Sequence, residues 1–282
     1  MFTLNCKGRL LVVDKPLVMG IINITPDSFY EGSRFVVMED ILQQAEKMLQ
    51  DGAAILDIGG QSTRPGSVQV GSAEELQRVV RVIEMVSLHF PKAIISVDTY
   101  HAEVAEKAVN AGASMVNDIS GGDLDPQMLR TVGRLGVPYV CMHTRGNPED
   151  MQRQAVYEDV TREVLDHFIK KIAQCRQAGI KDVIIDPGFG FAKTMQHNFE
   201  LLRNLEVFHM LDCPVLAGLS RKSTIYKTLA TDAAGALNGT TVMNTVALMN
   251  GADILRVHDV KEANEAVMLI TRIKSKHGKE TE

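Results

Sequence analysis

The sequence contains no tryptophan, and only 5% of its 282 residues are aromatic. Proteins that bind single-stranded nucleic acid stack the bases on aromatic side chains, so this scarcity argues against that function. A basic surface is also lacking, because 35 acidic residues outnumber 30 lysines and arginines and leave a formal net charge of −5. We therefore predict that the chain has no nucleic-acid partner.

Cysteine is scarce as well, and the four cysteines lie far apart without a C-x-x-C pair. That spacing argues against a zinc site or a disulfide framework and predicts free thiols in a reducing compartment. No run approaches the roughly 18 apolar residues of a membrane span, and Asn5, Lys7 and Arg9 interrupt the first apolar stretch. We therefore expect a cytoplasmic protein with no membrane partner.

The residues that are present have the balance of a globular protein, with 45% hydrophobic and 23% charged residues. Neither a linker nor a low-complexity run divides the chain. We therefore predict a single domain over residues 1–282, a length that one large barrel can fill. Residues 274–282 (KSKHGKETE) are predicted to form a flexible tail.

Eight short apolar runs recur along the chain, and longer segments with helical periodicity separate them. Short apolar runs between turn signals are typical of strands that are buried on both faces of a parallel sheet. The runs cover residues 17–22, 54–58, 94–97, 114–116, 138–142, 183–185, 215–219 and 254–257. Ahead of them, residues 2–12 are predicted to form a β-hairpin that turns at Lys7-Gly8.

The segment Ser72–Phe90 has the clearest helical pattern. Ser72 and Glu75 match a capping box. The apolar residues of its predicted inner face are Leu76, Val79, Val80, Ile83 and Val86. Residues 157–178 carry a similar stripe, formed by Val160, Val164, Phe168 and Ile172.

Several helical segments end at a glycine just before a strand begins, as expected where the residue after a helix needs a positive φ. These glycines are Gly52, Gly112, Gly136, Gly179 and Gly251. The regular alternation of strands and helices predicts an α/β fold, a (β/α)8 TIM barrel preceded by the short N-terminal β-hairpin. An open, doubly wound sheet is the alternative.

Every apolar run ends in residues that can carry charge or form hydrogen bonds. In order, these ends are Asn23, Asp57, Asp98, Asn117–Asp118, His143, Asp186, Ser220–Lys222 and Arg256–His258. A single such residue is more often a helix cap or a turn residue. Eight of them predict one polar mouth at the carboxyl ends of the strands, where barrels of this kind have their active sites. Within it, Arg221 and Lys222 are expected to contribute two positive charges.

The residues at this mouth suit a planar heterocycle with a charged tail. Asp98 and Asp186 can accept hydrogen bonds from an amino-pyrimidine edge, which offers NH2 and NH donors side by side. Asn117 can both donate to and accept from a neighbouring ring atom, and Lys222 can donate to a ring carbonyl.

A phosphate or diphosphate suits another part of the mouth. Arg256 and His258 are two residues apart and share a face, and with Asn23 they could hold such a group directly or through Mg²⁺. Two glycine-containing loops, residues 23–33 and 57–66, could close over it. The G-x-G at 188–190 is a poor dinucleotide fingerprint, because Ala192 and Lys193 stand where a third glycine is needed.

Eight motifs resemble those of the dihydropteroate synthase family, and together they cover residues 17–262 in register with all eight predicted strands. They are NITPDSF (23–29), DIGGQSTRPG (57–66), VDT (97–99), NDISGG (117–122), MHTRGNP (142–148), DPGFGF (186–191), GLSRKS (218–223) and RVHD (256–259). The resemblance implies a transferase that condenses 6-hydroxymethyl-7,8-dihydropterin diphosphate with p-aminobenzoate. The products are 7,8-dihydropteroate, on the way to folate, and diphosphate. The resemblance also implies a homodimer whose p-aminobenzoate site is a target of sulfonamides.

The same resemblance implies a role for individual residues. The pterin-binding residues are Asp98, Asn117, Asp186 and Lys222. The leaving diphosphate is implied to contact Arg256 and His258, and Mg²⁺ to contact Asn23. The p-aminobenzoate pocket is implied to consist of Thr63, Arg64, Pro65, Phe191, Ser220 and Lys222. The residues expected to take part in catalysis are Asp98, Asp186, Lys222 and Arg256.

The chain departs from the usual family pattern at three positions, with Glu31 in place of Asp, Gln61 in place of Glu and Ala192 in place of Gly. Three other functions stay open at this point. One is a pterin-binding methyltransferase module, which would not need Ser220 to Lys222. Another is a Schiff-base aldolase that uses Lys222. The third is a pterin-binding paralogue without catalytic activity.

Overall fold

The computed structural model describes residues 1–24, 34–60, 71–146 and 151–275. The chain begins with an antiparallel hairpin of β1 (Phe2–Cys6) and β2 (Arg9–Val13). Its turn residues Lys7 and Gly8 have φ angles of 53° and 83°. The predicted hairpin is confirmed, and its second strand extends one residue further than expected.

Eight parallel strands follow, one for each predicted apolar run. They are β3 (Leu17–Asn23), β4 (Ile55–Gly59), β5 (Ile94–Asp98), β6 (Met115–Asp118), β7 (Tyr139–Met142), β8 (Val183–Asp186), β9 (Leu216–Ala217) and β10 (Ile254–Val257). Their order is β8-β7-β6-β5-β4-β3-β10-β9. A parallel bridge between Ile185 and Val215 joins the two outer strands of that order. The sheet therefore curls into a nearly closed barrel, which confirms the predicted fold against the open sheet.

Helices alternate with these strands, as predicted. They are α1 (Arg34–Gln50), α2 (Ser72–His89), α3 (Ala102–Ala111), α4 (Met128–Leu135), α5 (Val160–Gln177), α6 (Met195–Arg203), α7 (Ser223–Thr228), α8 (Leu237–Met249) and α9 (Val260–Lys274). Shorter 3-10 turns cover Met151–Gln154, Leu205–Leu211 and Ala234–Ala236. Within the described ranges, no helix combines the length and apolar character needed to cross a bilayer. The predicted tail begins at Lys274, which still belongs to α9, and residues 276–282 lie outside the described part.

The apolar stripes of α2 and α5 pack on the sheet. All four stripe residues predicted for α5 are buried. On α2, Val79, Ile83 and Val86 are buried as predicted, but Val82 is buried in addition, while Leu76 and Val80 are only half-buried. The five predicted glycines at the ends of helical segments, Gly52, Gly112, Gly136, Gly179 and Gly251, all have positive φ.

The capping box predicted at the start of α2 is wrong. Gly71 is the N-cap residue, and no side chain caps the helix there. Because Ser72 is already the first helical residue, Glu75 falls one position too late to close the box. Its side chain is fully buried instead.

The two ends of the barrel differ in character. One apolar cluster inside the sheet consists of Leu4, Cys6, Val13, Leu17, Met19, Ile55, Ile94, Met115, Val140, Ile184, Leu216 and Ile254. It joins hairpin residues to residues near the beginnings of the strands. The Arg9 guanidinium also donates to the carbonyls of Pro91 and Ala93, just before β5. The hairpin therefore covers the amino-terminal end of the barrel and leaves the carboxyl ends of the strands for a site.

Gly133 gives a test of how closely the outer layer is packed. A Cβ atom added to it would lie 1.9 Å from the carbonyl oxygen of Ala178. A helical Gly→Ala change is normally stabilising, but here we expect Gly133→Ala to cost about 1–3 kcal/mol through overpacking. That loss lowers the thermal unfolding midpoint by several degrees. Arg130→Ala, on an exposed position of the same helix, is the control and should change stability little. A more stable Gly133→Ala variant would contradict this close contact.

Candidate active site

Buried charges and one amide from strands β4, β5, β6 and β10 form the centre of the polar mouth. The guanidinium of Arg256, on β10, donates from Nε to Oδ2 of Asp57, on β4, at 2.6 Å. It also donates from Nη2 to Oδ2 of Asp98, at the end of β5, at 2.5 Å. Asn117, on β6, donates from Nδ2 to the same Asp57 oxygen at 3.0 Å. We call these four residues the rim network.

The rim network is held away from water, so its charges depend on one another. Asp57 is fully buried, Asp98 is 5% exposed, and the Arg256 side chain is 17% exposed. Burial raises the pKa of Asp98, and the neighbouring Arg256 opposes that rise. Burial acts to lower the pKa of Arg256, but Asp57 and Asp98 outweigh it and keep the pKa above its usual value. Breaking one member of such a network leaves an uncompensated buried charge.

A second group, Asp186 and Lys222, completes the mouth. Oδ1 of Asp186, at the end of β8, accepts a hydrogen bond from the backbone N–H of Gly188 at 2.8 Å. The Lys222 amine donates to the Phe189 carbonyl. A Cβ atom added to Gly218 would lie 3.7 Å from Nζ of Lys222 and 3.9 Å from Oδ2 of Asp186. The glycine therefore leaves room for the two charged groups to share one space.

Burial also shifts the titration of this second group. It raises the pKa of Asp186, and the charge of Lys222 counteracts that rise. It lowers the pKa of Lys222 to about 8, against the attraction of Asp186. Asp98 and Arg256 also act on the charge of Lys222. The rim network and the second group therefore form one electrostatic unit.

Ser220 and His258 lie beside the lysine. Oγ of Ser220 is 2.9 Å from Nδ1 of His258 and accepts from the His258 backbone N–H at 3.2 Å. The expectation that Arg221 adds a positive charge to the mouth is wrong. Its Nε and Nη2 donate to the two carboxylate oxygens of Asp259, both at 2.8 Å. Its Nη1 donates to the Ala233 carbonyl.

The remaining predicted residues divide into two sets. Phe191 is half-buried, with its ring centroid 4.8 Å from Nζ of Lys222, and Asn23 is exposed at the end of β3. Thr63, Arg64 and Pro65 lie outside the described residues, as do Glu31 and Gln61. Ala192 is described and has a φ of 48°, a backbone conformation that suits the glycine usual at this position.

The sequence did not reveal the function of two residues near the mouth. Asp57 stands among the polar strand ends, but its part in orienting Arg256 and Asn117 depends on partners 199 and 60 positions away. Lys193 lies in a loop and is only 3% exposed. Its amine is 2.9 Å from Nδ1 of His143 and 3.0 Å from the carbonyl oxygen of Phe191. No spacing rule identifies either role.

The fit of Mg²⁺ can be judged from the ligands near the rim. The described residues contain no group of three or more His, Cys, Asp or Glu side chains that could hold a metal ion. Asn23, exposed at the rim and paired in register with Gly59, offers one amide oxygen. Mg²⁺ commonly takes one or two protein ligands and completes its shell with water and substrate phosphates. The residues therefore fit an ion that arrives with a phosphorylated substrate.

The chemistry of the mouth follows from its donors and acceptors. The Asp186 carboxylate and the Lys222 amine share one space, and the charge of Asp98 acts on the same amine. Asn117 is the register partner of Asp98 on the neighbouring strand. Such a set can bind a flat, nitrogen-rich ring by its edge. The low-polarity surroundings strengthen each of these interactions, and nearby carboxylates can stabilise positive charge that develops on a bound ring.

Comparison with known proteins agrees with this geometry. A family model described as pterin binding enzyme matches residues 19–258. The chain is 43% identical over 269 residues to the dihydropteroate synthase of Escherichia coli strain K12, with 95% of each chain covered.

Solved structures are similar over nearly the whole chain. The dihydropteroate synthase of Xanthomonas albilineans with 4-aminobenzoic acid has a TM-score of 0.90 at 39% identity, covering 98% of this chain and 99% of its own. The same enzyme in complex with 7,8-dihydropteroate has a TM-score of 0.87 at 36% identity, covering 98% and 100%. The sequence, the barrel and the polar mouth lead to the same conclusion: the chain belongs to the dihydropteroate synthase family of pterin-binding enzymes.

Proposed function

We propose that this protein condenses 6-hydroxymethyl-7,8-dihydropterin diphosphate with p-aminobenzoate and releases 7,8-dihydropteroate and diphosphate. The observation that carries the proposal is the rim network of Asp57, Asp98, Asn117 and Arg256 beside the Asp186–Lys222 pair. The similar enzyme from Xanthomonas albilineans binds 4-aminobenzoic acid in one structure and 7,8-dihydropteroate in another, which supports both the second substrate and the product.

The pterin ring is proposed to bind between the rim network and the second group. Asp98 and Asp186 accept hydrogen bonds from the ring's NH2 and NH groups, Asn117 contacts a neighbouring ring nitrogen, and Lys222 donates to the ring carbonyl. Asp57 has a supporting role, because it fixes the direction of Asn117 through a 3.0 Å hydrogen bond.

The p-aminobenzoate pocket is proposed to lie next to the pterin. Phe191 forms one wall and Lys222 reaches both substrates, consistent with the 4.8 Å between the lysine Nζ and the phenylalanine ring centroid. Ser220 contributes from the next strand, where His258 orients its hydroxyl. The remaining members of this pocket are proposed to be Thr63, Arg64 and Pro65.

The reaction exchanges one bond at the exocyclic carbon of the pterin. The carbon–oxygen bond breaks, and its electron pair leaves with diphosphate, so positive charge spreads into the ring. The Asp98 or Asp186 carboxylate stabilises that charge, and Arg256 and His258 stabilise the departing diphosphate. The arylamine nitrogen then forms the new carbon–nitrogen bond and gives up a proton to water.

We also propose that Mg²⁺ takes part, held by Asn23 and by the diphosphate oxygens of the substrate. When bound, the ion neutralises negative charge on the leaving group. The exposed position of Asn23 at the end of β3 supports this assignment.

The assay that tests the function is release of diphosphate from 6-hydroxymethyl-7,8-dihydropterin diphosphate, with and without p-aminobenzoate. We expect release that depends on p-aminobenzoate and stops when EDTA removes divalent ions. A pterin-binding paralogue without activity would bind the pterin and release nothing. A methyltransferase module would likewise not consume p-aminobenzoate. Borohydride trapping of an aldehyde on Lys222 would instead indicate an aldolase.

The protein is also proposed to form a homodimer in the cytoplasm. Helices α8 and α9 carry large apolar side chains that are exposed to solvent in the single chain. They are Val242, Val246, Met249, Met268, Leu269 and Ile273. An apolar patch of this kind is typical of a protein–protein interface. The four cysteines are free and buried, which suits a reducing compartment.

Two substitutions test the catalytic assignments. We expect Asp186→Asn and Arg256→Ala each to lower turnover on the order of 10²–10³-fold, because each removes a charge that stabilises the transition state. Steady-state kinetics measures this. The matched controls are Asp182→Asn, just before β8, and Arg134→Ala, whose guanidinium pairs with exposed Glu106. Near-normal turnover in either active-site variant would refute its proposed role.

The lowered pKa of Lys222 predicts a pH dependence. Its amine is charged below pH about 8 and neutral above it, and the charged form is the better donor to the pterin carbonyl. We therefore expect kcat/KM to fall as pH rises through about 8. Arginine stays charged over this range, so we expect Lys222→Arg to be less active than the wild-type protein but to show no such fall in kcat/KM. If kcat/KM still falls in the variant, another group causes the fall.

The dimer is tested at α8. We expect Val246→Glu to convert the dimer to a monomer, because a charge would be buried at the interface. Sedimentation velocity measures the change. Leu88→Glu, on α2 and 74% exposed, is the control and should leave the dimer intact. A monomeric wild-type protein, or a Val246→Glu variant that stays dimeric, would contradict this interface.

A further inference from the structure

Lys193 is a buried basic residue that the proposed mechanism does not use. It is 3% exposed, and its amine has three acceptors within hydrogen-bonding range. These are Nδ1 of His143 at 2.9 Å, the His143 carbonyl oxygen at 3.4 Å and the Phe191 carbonyl oxygen at 3.0 Å. An ammonium group has three N–H donors, so the surroundings match its full donor capacity. The site is therefore built for this amine.

Stability alone does not explain a lysine in this place. No salt bridge involving Lys193 is formed within the described residues, and burial lowers its pKa well below the usual value. Apolar side chains of similar volume often stabilise a buried position at least as well as a charged group. What the lysine provides is a set of directional contacts, because its amine joins His143, after β7, to the Phe191 carbonyl in the loop after β8.

That loop, residues 187–193, supplies contacts to the proposed site from its backbone. Gly188 donates to Asp186, and Phe189 accepts from Lys222. Phe191, two residues on, accepts from Lys193. Two lysines therefore bind alternate carbonyls of one short loop, Lys222 that of Phe189 and Lys193 that of Phe191.

The loop needs such restraints because its backbone is unusual. Gly188, Gly190 and Ala192 have φ angles of 73°, 84° and 48°. A non-glycine residue in this region persists only where its surroundings fix it. The Lys193 contact with the Phe191 carbonyl lies directly before Ala192, the one residue of the three that carries a Cβ atom.

The orientation of the Phe191 ring depends on this same peptide. The ring packs against a small apolar cluster of Tyr100, Ile119 and Met142, and its other neighbour is the Lys222 amine. A small rotation of the backbone at Phe191 would move the ring relative to both. Such displacements of a substrate contact can change rates and affinities strongly.

We propose that Lys193 is a positioning residue that sets the Phe191 wall of the p-aminobenzoate pocket through the Phe191 carbonyl. This inference rests on the proposed function, because it assigns that wall to p-aminobenzoate. Lys193 touches neither substrate. It determines the affinity for the arylamine and leaves the pterin contacts of Asp98 and Asn117 unchanged.

The test measures KM for each substrate separately in Lys193→Met, which keeps the apolar stem and removes the donors. We expect KM for p-aminobenzoate to rise about tenfold, while KM for the pterin diphosphate changes less than about twofold. A purely structural lysine would lower the active fraction and so reduce the apparent kcat without changing either KM. Equal rises in both KM values would also overturn the proposal.

A double variant tests whether Lys193 acts through Phe191. We expect Phe191→Ala alone to raise KM for p-aminobenzoate, and Lys193→Met to add nothing further in the Phe191→Ala background. Independent, multiplicative effects would overturn the inference. If Phe191→Ala leaves this KM unchanged, the proposed pocket is wrong, and if the wild-type protein does not turn over, the proposed function is wrong.

Lys171→Met is the matched control. Lys171 is also buried at 7% exposure, but its amine pairs with Asp123 at 2.5 Å, away from the loop. We expect this variant to lose thermal stability and to keep both KM values. Lys193→Gln, which retains N–H donors on a shorter side chain, replaces Lys193→Met if the latter does not fold. Loss of folding in both Lys193 variants would contradict a positioning role and indicate a structural one.

Discussion

The interaction on which the site depends is the pairing of one buried guanidinium with two buried carboxylates. Arg256, on β10, donates to Asp57 and Asp98 across the intervening strand β3. Asn117 donates to the same Asp57 oxygen that accepts from Arg256. Removing such charges from water is costly, and their mutual attraction offsets that cost only when the geometry is good. The parallel register of the strands provides that geometry. It also leaves Asp98 close to the space where a ring would bind.

The barrel explains why these charges gather at one end. The hairpin and the apolar residues near the beginnings of the strands fill the opposite end, so the polar strand ends share the open mouth. Three carboxyl groups, those of Asp57, Asp98 and Asp186, share the mouth with two basic groups, those of Arg256 and Lys222. A mouth with this balance favours a ring that becomes positive as diphosphate leaves. The Lys193 amine is buried, and its contacts are with carbonyls and a histidine.

Much of the fold could be predicted from the sequence, because it depends on short-range patterns. Apolar runs of three to six residues predicted the strands, and glycines before them predicted where helical segments end. That Asp98, Asn117, Asp186, Lys222 and Arg256 lie at one mouth could also be predicted, because parallel strands end at the same edge of a sheet. Side-chain direction could not be predicted in this way. Arg221 turns to Asp259 and away from the mouth, and Glu75 is buried although its spacing from Ser72 suggested a cap. Asp57 orients partners that are distant in the chain, and the Lys193 amine joins distant His143 to the nearby Phe191 carbonyl.

The most direct test of the central claim is a crystal structure of this protein with 6-hydroxymethyl-7,8-dihydropterin diphosphate, grown without p-aminobenzoate. We expect the pterin ring within hydrogen-bonding distance of Asp98, Asn117, Asp186 and Lys222, with the pairing of Arg256 and Asp57 retained. A pterin bound elsewhere on the protein, or bound at the mouth without contact to these four side chains, would contradict their assignment as the pterin site.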